Sequence, residues 1–489
     1  MSEEKKISRR RYIRYAGGAV AAAVVAAAGY GVYQATQPPA PPPTTTTAPP
    51  VTVTTTAAPK TTAPGAPVKI TLWTQETPPN RMARQNSILR MFESANPGIT
   101  VELVGVGWDE IYPKLLSGIA AGNPPDIDFS IPGVTLAAYN AGGTVGDEGE
   151  LDDLVKRLDA QFSLGEAEKK MSFWKGHYHA IPVFTLIMGV MVRKDVADKA
   201  GYPDGIVKTW EDYIAFCQYV KAHPKDPLTG GPQYGTFIPT QKGLIGTEIL
   251  YNFVINAGGR SVADDGMTPV FNSPETVKAL NYIKELAKYR PPGAEDWGWS
   301  EMTLPWENGM LASCPNWSTF LTSTVRDYPE IAKQQVYIEN PVPASGGVRG
   351  SVMYPYAAFI SKAAKKQGKL DACLKLLEYL LQPEVNGYLC AMEPLFFQSP
   401  HKAGYQSEAY RSDPINQQYW NVVETLQTAK LYGKLYGFEG GEPCLWIGEV
   451  EGTDLIAQVG LKVALGQMTA EEGAAWGQAE MEKIAAKYK

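Results

Sequence analysis

The hydrophobic pattern divides the chain into three stretches. Residues 16–32 form one uncharged, alanine-rich apolar run, about as long as the shortest membrane-spanning helices. Residues 34–67 are almost entirely Pro, Thr and Ala, with Lys60 as their only charge, and they lack the apolar bulk that a packed core requires. Periodic alternation begins only at Val68. The pattern therefore predicts a signal or membrane anchor over residues 1–33, then an extended stalk, then a globular remainder.

Strand and helix signals alternate at the start of the globular region. A strand pattern over 68–73 is followed by a helix to about Ala95, a strand over 99–106, a helix over 108–121 and a strand over 126–130. Asn-Pro pairs end both helices. This order predicts an α/β fold with a parallel sheet and right-handed crossovers.

Polar and aromatic residues follow each of these three strands. In parallel α/β sheets, ligands bind outside the carboxyl ends of the strands. We therefore expect these positions to belong to a binding site. The residues there are Trp73, Gln75, Glu76, Trp108, Asp128 and Ser130.

The N-terminal residues predict export from the cytoplasm. Ser8-Arg9-Arg10-Arg11-Tyr12-Ile13-Arg14 resembles the twin-arginine export signal. Basic residues before an apolar run indicate a cytoplasmic N-terminus, so the rest of the chain is expected outside the membrane. The first cysteine is Cys217, which excludes a lipidated cysteine after the apolar run. The sequence thus predicts a cell-surface protein held by its N-terminal segment, or a secreted one if that segment is cleaved.

Composition narrows the class further. Residues 1–14 carry six basic and two acidic side chains, so the rest of the chain has a formal net charge of −10, against −6 for the whole. An acidic body argues against nucleic-acid binding. The five cysteines have no metal-binding spacing, and they allow at most two disulfides. About 420 globular residues are too many for a typical single domain and favour two lobes.

A series of motifs resembles the carbohydrate-binding solute-binding proteins of ABC importers, of which the maltodextrin-binding branch is the most familiar. They follow one another in the same order as in that family, from about Val68 to Lys489. In chain order they are Leu72-Trp73, 92–101 (FESANPGITV), 114–127 (KLLSGIAAGNPPDI), 173–182 (FWKGHYHAIP), 191–195 (MVRKD), 209–212 (TWED), Gly258-Gly259, 307–310 (ENGM), 315–317 (PNW) and the helix around 374–383.

This resemblance implies a two-lobed periplasmic-binding-protein fold of type II, with a mainly parallel sheet and flanking helices in each lobe and three hinge crossings. The first lobe would comprise 68–182 and 345–391, and the second 188–338 and 397–489. Thr185 and Pro343 would lie at crossings, where a few residues absorb the closing rotation. They are therefore candidate hinge residues and not ligand contacts.

A sugar site requires flat aromatic rings for the apolar faces of pyranoses and a few oriented polar groups for the hydroxyls. The resemblance places Trp317 at a position that stacks on sugar, with Asn316 beside it. It adds Tyr251, Tyr354, Tyr356 and Trp446. Together with Trp73, Glu76, Trp108 and Asp128, these residues form the predicted ligand-binding set. Trp73 and Trp108 could equally pack under a helix, and Trp297, Trp299 and Trp306 could line a groove or the core.

Catalytic and metal-binding interpretations receive little support. The chain has no HExxH, GxSxG or phosphate-loop motif. His177 and His179 alternate on a predicted hairpin strand and could share a metal, but the family hairpin explains them better. Asp264-Asp265-Gly266 is better explained as a hairpin turn than as a calcium loop. We therefore expect no enzyme activity, no metal and no cofactor.

The sequence thus predicts a monomeric, surface-tethered receptor that captures a sugar, and most readily an oligosaccharide, for an ABC transporter permease. The alternatives are a glycan-adhesion protein without transport and, less favoured, a glycoside-active enzyme. Truncation of Trp317 to alanine is expected to weaken binding with little effect on folding. The sequon Asn316-Trp317-Ser318 is expected to carry no glycan, because a cleft position would hide it.

Overall fold

The computed structural model describes residues 67–108, 110–239, 243–294, 297, 299–440 and 442–488. The predicted anchor and nearly all of the predicted stalk lie outside the described residues. Within the described ranges, no helix combines the length and apolar character needed to cross a membrane.

Ten strands are described, numbered here in chain order: β1 Val68–Thr74, β2 Ile99–Gly105, β3 Ile127–Ser130, β4 Phe173–Trp174, β5 His177–Tyr178, β6 Ile181–Arg193, β7 Ser313–Trp317, β8 Gln335–Ile338, β9 Ser351–Ile360 and β10 Gly433–Lys434. The three strands and two helices predicted at the start of the globular region are all present. Helical structure begins at Ile111, so Trp108 lies in the connection before that helix.

The α-helices surround these strands. In chain order they are Pro79–Ala95, Ile111–Ala120, Pro132–Asn140, Asp152–Phe162, Glu166–Lys170, Lys194–Lys199, Trp210–Ala222, Leu244–Ala257, Pro274–Leu286, Trp299–Glu307, Thr319–Asp327, Pro329–Ala332, Lys362–Lys366, Leu370–Leu380, Pro383–Cys390, Lys402–Tyr405, Glu408–Arg411, Pro414–Gln418, Trp420–Lys430, Ile447–Gly452, Leu455–Ala464 and Ala470–Ala485.

The main sheet has the strand order β2-β1-β3-β9-β6-β7, with β10 paired to β9 and β8 paired to β6. Strand β1 runs parallel to both β2 and β3, which confirms the parallel arrangement predicted for the first three strands. Their carboxyl ends therefore meet at one edge of the sheet.

Two long strands join the two parts of the sheet. The first half of β6, from Ile181 to Ile187, pairs with β9, and its second half pairs with β7 and β8. All thirteen residues of β6 are buried, as expected for a strand covered on both faces.

The sheet is mixed, whereas the resemblance implied mainly parallel sheets. Strand β9 is antiparallel to β3 and to β6, and β6 is antiparallel to β7 and β8. The chain first passes through β7 and β8 and then returns to β3. It enters the sheet there from the end opposite to that of β1 and β3, so β9 runs antiparallel to β3. The α/β class itself is confirmed.

Two turns predicted from sequence are present. Phe173 to Tyr178 forms the hairpin β4–β5, whose turn uses Lys175 (φ 51°) and Gly176 (φ 85°). Asp265 accepts hydrogen bonds from the backbone N–H groups of Met267 and Thr268, and closes a second turn.

The second part of the fold is built around the helix Leu244–Ala257, which is buried along nearly its whole length and packs against the helices 274–286 and 455–464. It is apolar except for a few polar residues, of which Glu248 is the only charged one. A lone carboxyl group in such a helix requires partners, since an unpaired buried charge is costly.

Candidate ligand-binding site

The edge where β1 and β3 end collects four buried polar side chains. Gln75 and Glu76 follow β1, and Asp128 and Ser130 lie on β3; all are at most 3% exposed. Asp128 pairs with Trp73 of β1 through the backbone. Burial raises the pKa of Asp128 to about 8, although the neighbouring Gln75 amide opposes the shift. Within the described residues, neither carboxyl oxygen of Asp128 has a partner at hydrogen-bonding geometry.

Glu76 is held by Arg81, whose side chain is 14% exposed. Arg81 Nη1 lies 2.5 Å from Glu76 Oε2, and Arg81 Nε lies 3.1 Å from Glu393 Oε2. Burial alone would lower the pKa of Arg81, but the two glutamates raise it above its usual value. Arg81 also donates to Thr319 Oγ1 at 3.2 Å. One side chain of the helix after β1 thus contacts a helix that follows β7.

Strand β9 carries two tyrosines on one face, two residues apart. Tyr356 donates to Glu76 Oε1 at 2.6 Å, and its ring meets Trp108 edge-on at a centroid distance of 5.9 Å. Tyr354 lies against Trp317, with ring centroids 5.6 Å apart. Trp108 is 39% exposed, whereas the other three rings are buried. The structure therefore brings together four of the predicted aromatic residues.

Glu248 lies beside the second aromatic pair. Trp317 Nε1 donates to Glu248 Oε2 at 2.8 Å. Burial raises the pKa of Glu248 to about 8; the Trp317 hydrogen bond opposes the shift, and the nearby Glu451 carboxylate adds to it. Tyr251 lies one turn further along the same helix, on the same face.

Glu451 links the two parts of the fold. Tyr112 donates to Glu451 Oε2 at 2.5 Å from the helix after β2, and Tyr354 lies 3.2 Å from Oε1. Tyr436 donates to the same carboxyl group. The carboxylate also rests on Gly133, where any side chain would collide with it. Burial raises the pKa of Glu451, and the tyrosine hydrogen bonds oppose that shift.

Three predicted residues lie outside this cluster. Trp73 lines a surface groove of about 450 Å³ with Pro113 and Ser117 of the helix after β2, so it contacts a helix instead of the aromatic cluster. Trp446 is buried, and its indole donates to the carbonyl of Met267 at 3.0 Å. Asn316 is also buried, and its amide lies 2.7 Å from the sulfur of Met302.

Strand alternation explains the position of Asn316. Successive side chains of a strand point to opposite faces, so Trp317 reaches Glu248 while Asn316 faces the helix 299–307. Of the remaining tryptophans, Trp306 belongs to the core and Trp297 stacks on Phe237.

The candidate hinge residue Thr185 is tied to its surroundings. Its hydroxyl donates to Glu168 Oε1 at 2.9 Å, and its backbone pairs with Gln398. Lys430 forms a buried ion pair with the same Glu168 at 3.0 Å. Pro343 lies in a buried position next to Val342, which pairs with Thr209. The hinge roles of Thr185 and Pro343 stay predictions.

The two histidines have separate partners. His177 Nδ1 lies 2.8 Å from Asp152, and His179 stacks on Trp174 at a centroid distance of 4.0 Å. Burial lowers the pKa of His179 to about 4. Within the described residues, no group of three or more His, Cys, Asp or Glu side chains is arranged to hold a metal ion.

Sequence reasoning missed most of the charged members of the site, namely Arg81, Glu248, Glu393 and Glu451, together with Tyr112 and Tyr436. A usable signal existed for Glu248, because it is the lone charge in an otherwise apolar helix. Arg81 and Glu451 resemble ordinary solvated helix residues in the sequence, and their roles depend on contacts more than 200 residues away.

Chemically, the cluster offers flat aromatic rings and buried carboxyl groups, contributed by both parts of the fold. Burial also raises the pKa values of Tyr354, Tyr356 and Tyr436 well above the usual range. These phenols are therefore neutral hydrogen-bond donors. The set suits a ligand with apolar faces and many hydroxyl or amine groups.

Comparison with known proteins gives consistent relatives. Residues 75–387 match the profile of a family described as bacterial extracellular solute-binding protein. YcjN of Escherichia coli, provisionally named an ABC transporter periplasmic-binding protein, is 21% identical over 79% of this chain and 86% of its own.

Two solved structures share the fold. The GacH receptor of Streptomyces glaucescens, solved unliganded and with acarbose, has a TM-score of 0.69 at 16% identity, covering 87% of this chain and 100% of that one. An ABC transporter solute-binding protein of Thermotoga lettingae, bound to α-D-tagatose, has a TM-score of 0.67 at 21% identity, covering 86% of this chain and 100% of that one. The predicted two-lobed fold is confirmed.

Proposed function

Because the chain belongs to the family of bacterial extracellular solute-binding proteins, we propose that it captures a sugar between its two lobes and delivers it to an ABC transporter permease. The family consists of binding proteins, in agreement with the expectation that the chain is not an enzyme. Membership of this extracellular family also supports a location of the chain outside the cytoplasm.

The observation that carries the proposal is the cluster of aromatic rings and carboxyl groups built from both parts of the fold. Tyr356 contacts both Trp108 and Glu76, and Trp317 contacts both Tyr354 and Glu248. Pyranose rings stack on such faces, while carboxylates accept their hydroxyl hydrogen bonds. A ligand that contacts both parts stabilises the closed arrangement, because only there does it make all its contacts.

We further propose that the ligand is an oligosaccharide. Tyr354 and Tyr356 are two residues apart on β9, which separates the two aromatic pairs by about 7 Å. Two aromatic pairs at that separation suit two linked sugar rings better than a single sugar ring. The partly exposed Trp108 would hold the ring nearer the solvent.

Surface tethering belongs to the same proposal. The apolar run and the Thr/Pro-rich stretch precede the described residues, and at roughly 3 Å per residue the stretch could reach on the order of 100 Å. Full-length protein should then remain with membranes, whereas a chain beginning at Gly65 should be soluble. Intact mass of the native protein checks this: a mature chain that begins after Val32 and is released contradicts the anchor and indicates a cleaved signal.

The direct test is a thermal-shift screen of the full-length protein against mono- and oligosaccharides, followed by calorimetry on the best ligand. Trp108→Ala should weaken binding by about 1–3 kcal/mol, with little loss of stability because the ring is partly exposed. Trp476→Ala is the matched control, since this partly buried tryptophan of the helix 470–485 packs on Lys462 of the preceding helix, 455–464.

The proposal fails if no saccharide raises the melting temperature. It also fails if the two variants bind the identified sugar equally well, because the aromatic cluster would then have no part in binding.

A further inference from the structure

Four aromatic rings surround two carboxyl groups in the second part of the cluster. Trp317 lies against Tyr354, Tyr354 meets Tyr436 edge-on, and Tyr436 in turn meets Tyr251 at a centroid distance of 5.3 Å. We call the residues Trp317, Tyr354, Tyr436 and Tyr251, together with Glu248 and Glu451, the aromatic box.

The hydrogen-bond donors of the aromatic box are neutral. Glu248 accepts from Trp317 Nε1, and Glu451 accepts from the hydroxyl groups of Tyr112, Tyr354 and Tyr436. The cation of the cluster, Arg81, is engaged by Glu76 and Glu393 instead. Two buried carboxyl groups, whose ionised forms would repel one another, therefore lie around Tyr354 with no cation among their described partners.

One further group in the aromatic box points to an absent partner. The hydroxyl of Tyr251 is fully buried and has no hydrogen-bond partner among the described residues. A buried hydroxyl without a partner costs free energy, so it is expected to meet a ligand. The ring of Tyr251 packs on Tyr436, whose hydroxyl donates to Glu451, and Tyr251 lies on the same helix face as Glu248.

Aromatic faces combined with carboxylates recognise cations. A positive group over aromatic rings is attracted by their negative faces. A pair of carboxylates binds such a cation much more strongly than it binds a neutral hydroxyl group. We propose that the ligand is a sugar carrying a protonated amine, and that this amine lies between Glu248 and Glu451 in the aromatic box. This inference rests on the proposed function and specifies its substrate class.

Protonation gives the proposal a second readout. Burial favours the protonated form of both carboxyl groups, and the groups facing them are Trp317, Tyr112, Tyr354, Tyr436 and, for Glu451, also Asp454. An ammonium group favours the ionised form, so its binding near pH 7 should release up to about one proton per ligand. A neutral sugar in the same place supplies no charge that would expel a proton.

The experiment uses matched pairs of sugars in calorimetric titrations of the full-length protein at pH 7. Each pair consists of a sugar and its amino counterpart: glucose and glucosamine, galactose and galactosamine, and N-acetylglucosamine oligomers with glucosamine oligomers of equal length. Two buffers with different enthalpies of ionisation report the protons released. The amino member of at least one pair should bind at least about ten-fold more tightly, with release of protons.

Glu248→Gln should reduce that preference to less than about two-fold while the protein still melts cooperatively. Glu307→Gln is the matched control, since this buried carboxyl group faces Ser323 and Arg326 and not the aromatic box. Tyr251→Phe provides a second variant of nearly unchanged shape, and it should weaken the binding of the amino sugar.

The outcomes separate the two proposals. If neutral members bind as tightly as their amino counterparts, the aromatic box does not select a cation and this inference is wrong, while the sugar-binding function stands. If no member of any pair binds, this inference is wrong, and the sugar-binding function fails with it only if no other saccharide raises the melting temperature. An amino-sugar preference that survives in Glu248→Gln also contradicts the inference.

Discussion

Replacing Asp128 by asparagine should change how stability depends on pH. Asp128 is fully buried within β3, and burial raises its pKa to about 8 from the usual 3.8. The folded state therefore retains a proton that the unfolded state loses above about pH 4. A raised pKa means that the associated stability is fully present below the unfolded pKa and is lost as the pH rises through the folded one.

The size of the stability change follows from the interval between the folded and unfolded pKa values of Asp128. Each pH unit between the two pKa values removes about 1.4 kcal/mol, so from pH 5 to pH 8 wild-type protein should lose up to about 4 kcal/mol through this group. Asparagine has nearly the same shape and cannot ionise. Asp128→Asn should therefore exceed the stability of wild type by about 2 kcal/mol at pH 5 and by about 5 kcal/mol at pH 8.

Urea unfolding followed by tryptophan fluorescence at pH 5, 6, 7 and 8 measures this difference. Asp371→Asn is the control, because Asp371 is an exposed aspartate in the first turn of its helix. If the stability profiles of wild type and Asp128→Asn stay parallel across the range, Asp128 is hydrated or paired, and its place at the dry base of the site is refuted.

Three further predictions concern other parts of the fold. Trp317→Phe should reduce both sugar affinity and the free energy of unfolding by about 1–3 kcal/mol, because Glu248 loses its indole donor; equal values for variant and wild type in calorimetry and urea unfolding would contradict this. All five cysteines are buried free thiols, and burial raises the pKa of Cys314 and Cys373 to about 12, so a thiol reagent should label none in folded protein and five in urea; fast labelling of native protein would count against the core packing. Asn316 is fully buried, so peptide mass spectrometry should find it without a glycan, and a fully occupied glycan would place it elsewhere.

Burial revises one expectation about Trp317. Sequence reasoning anticipated that its truncation to alanine would hardly affect folding. The ring is only 4% exposed and is hydrogen-bonded to Glu248, so Trp317→Ala should cost about 3–5 kcal/mol of stability. Phenylalanine is therefore the better substitution at this position.

The sequence predicted the first part of the fold well, because its strands and helices are short, strongly patterned and separated by Asn-Pro breaks. Among the residues it predicted for the site, Trp108 contacts Tyr356 and Trp317 contacts Tyr354, while their roles in binding stay predictions. In a strand, neighbouring residues differ in orientation, so sequence position alone could not separate Trp317 from Asn316.

The charged residues of the site escaped prediction for a different reason. Arg81 and Glu451 occupy helices whose sequences resemble ordinary solvated surfaces, and their burial depends on packing between distant parts of the chain. The antiparallel direction of β9 could not be predicted from the local sequence pattern either. An apolar strand pattern does not indicate which neighbouring strand it will pair with.

A crystal structure of the protein with the best sugar from the thermal-shift screen tests the central claim most directly. We expect the sugar between the two parts of the fold, stacked on Trp108 or Trp317 and hydrogen-bonded to Glu76 or Glu248. A sugar bound instead in the surface groove beside Trp73, with the aromatic cluster unoccupied, would contradict the account.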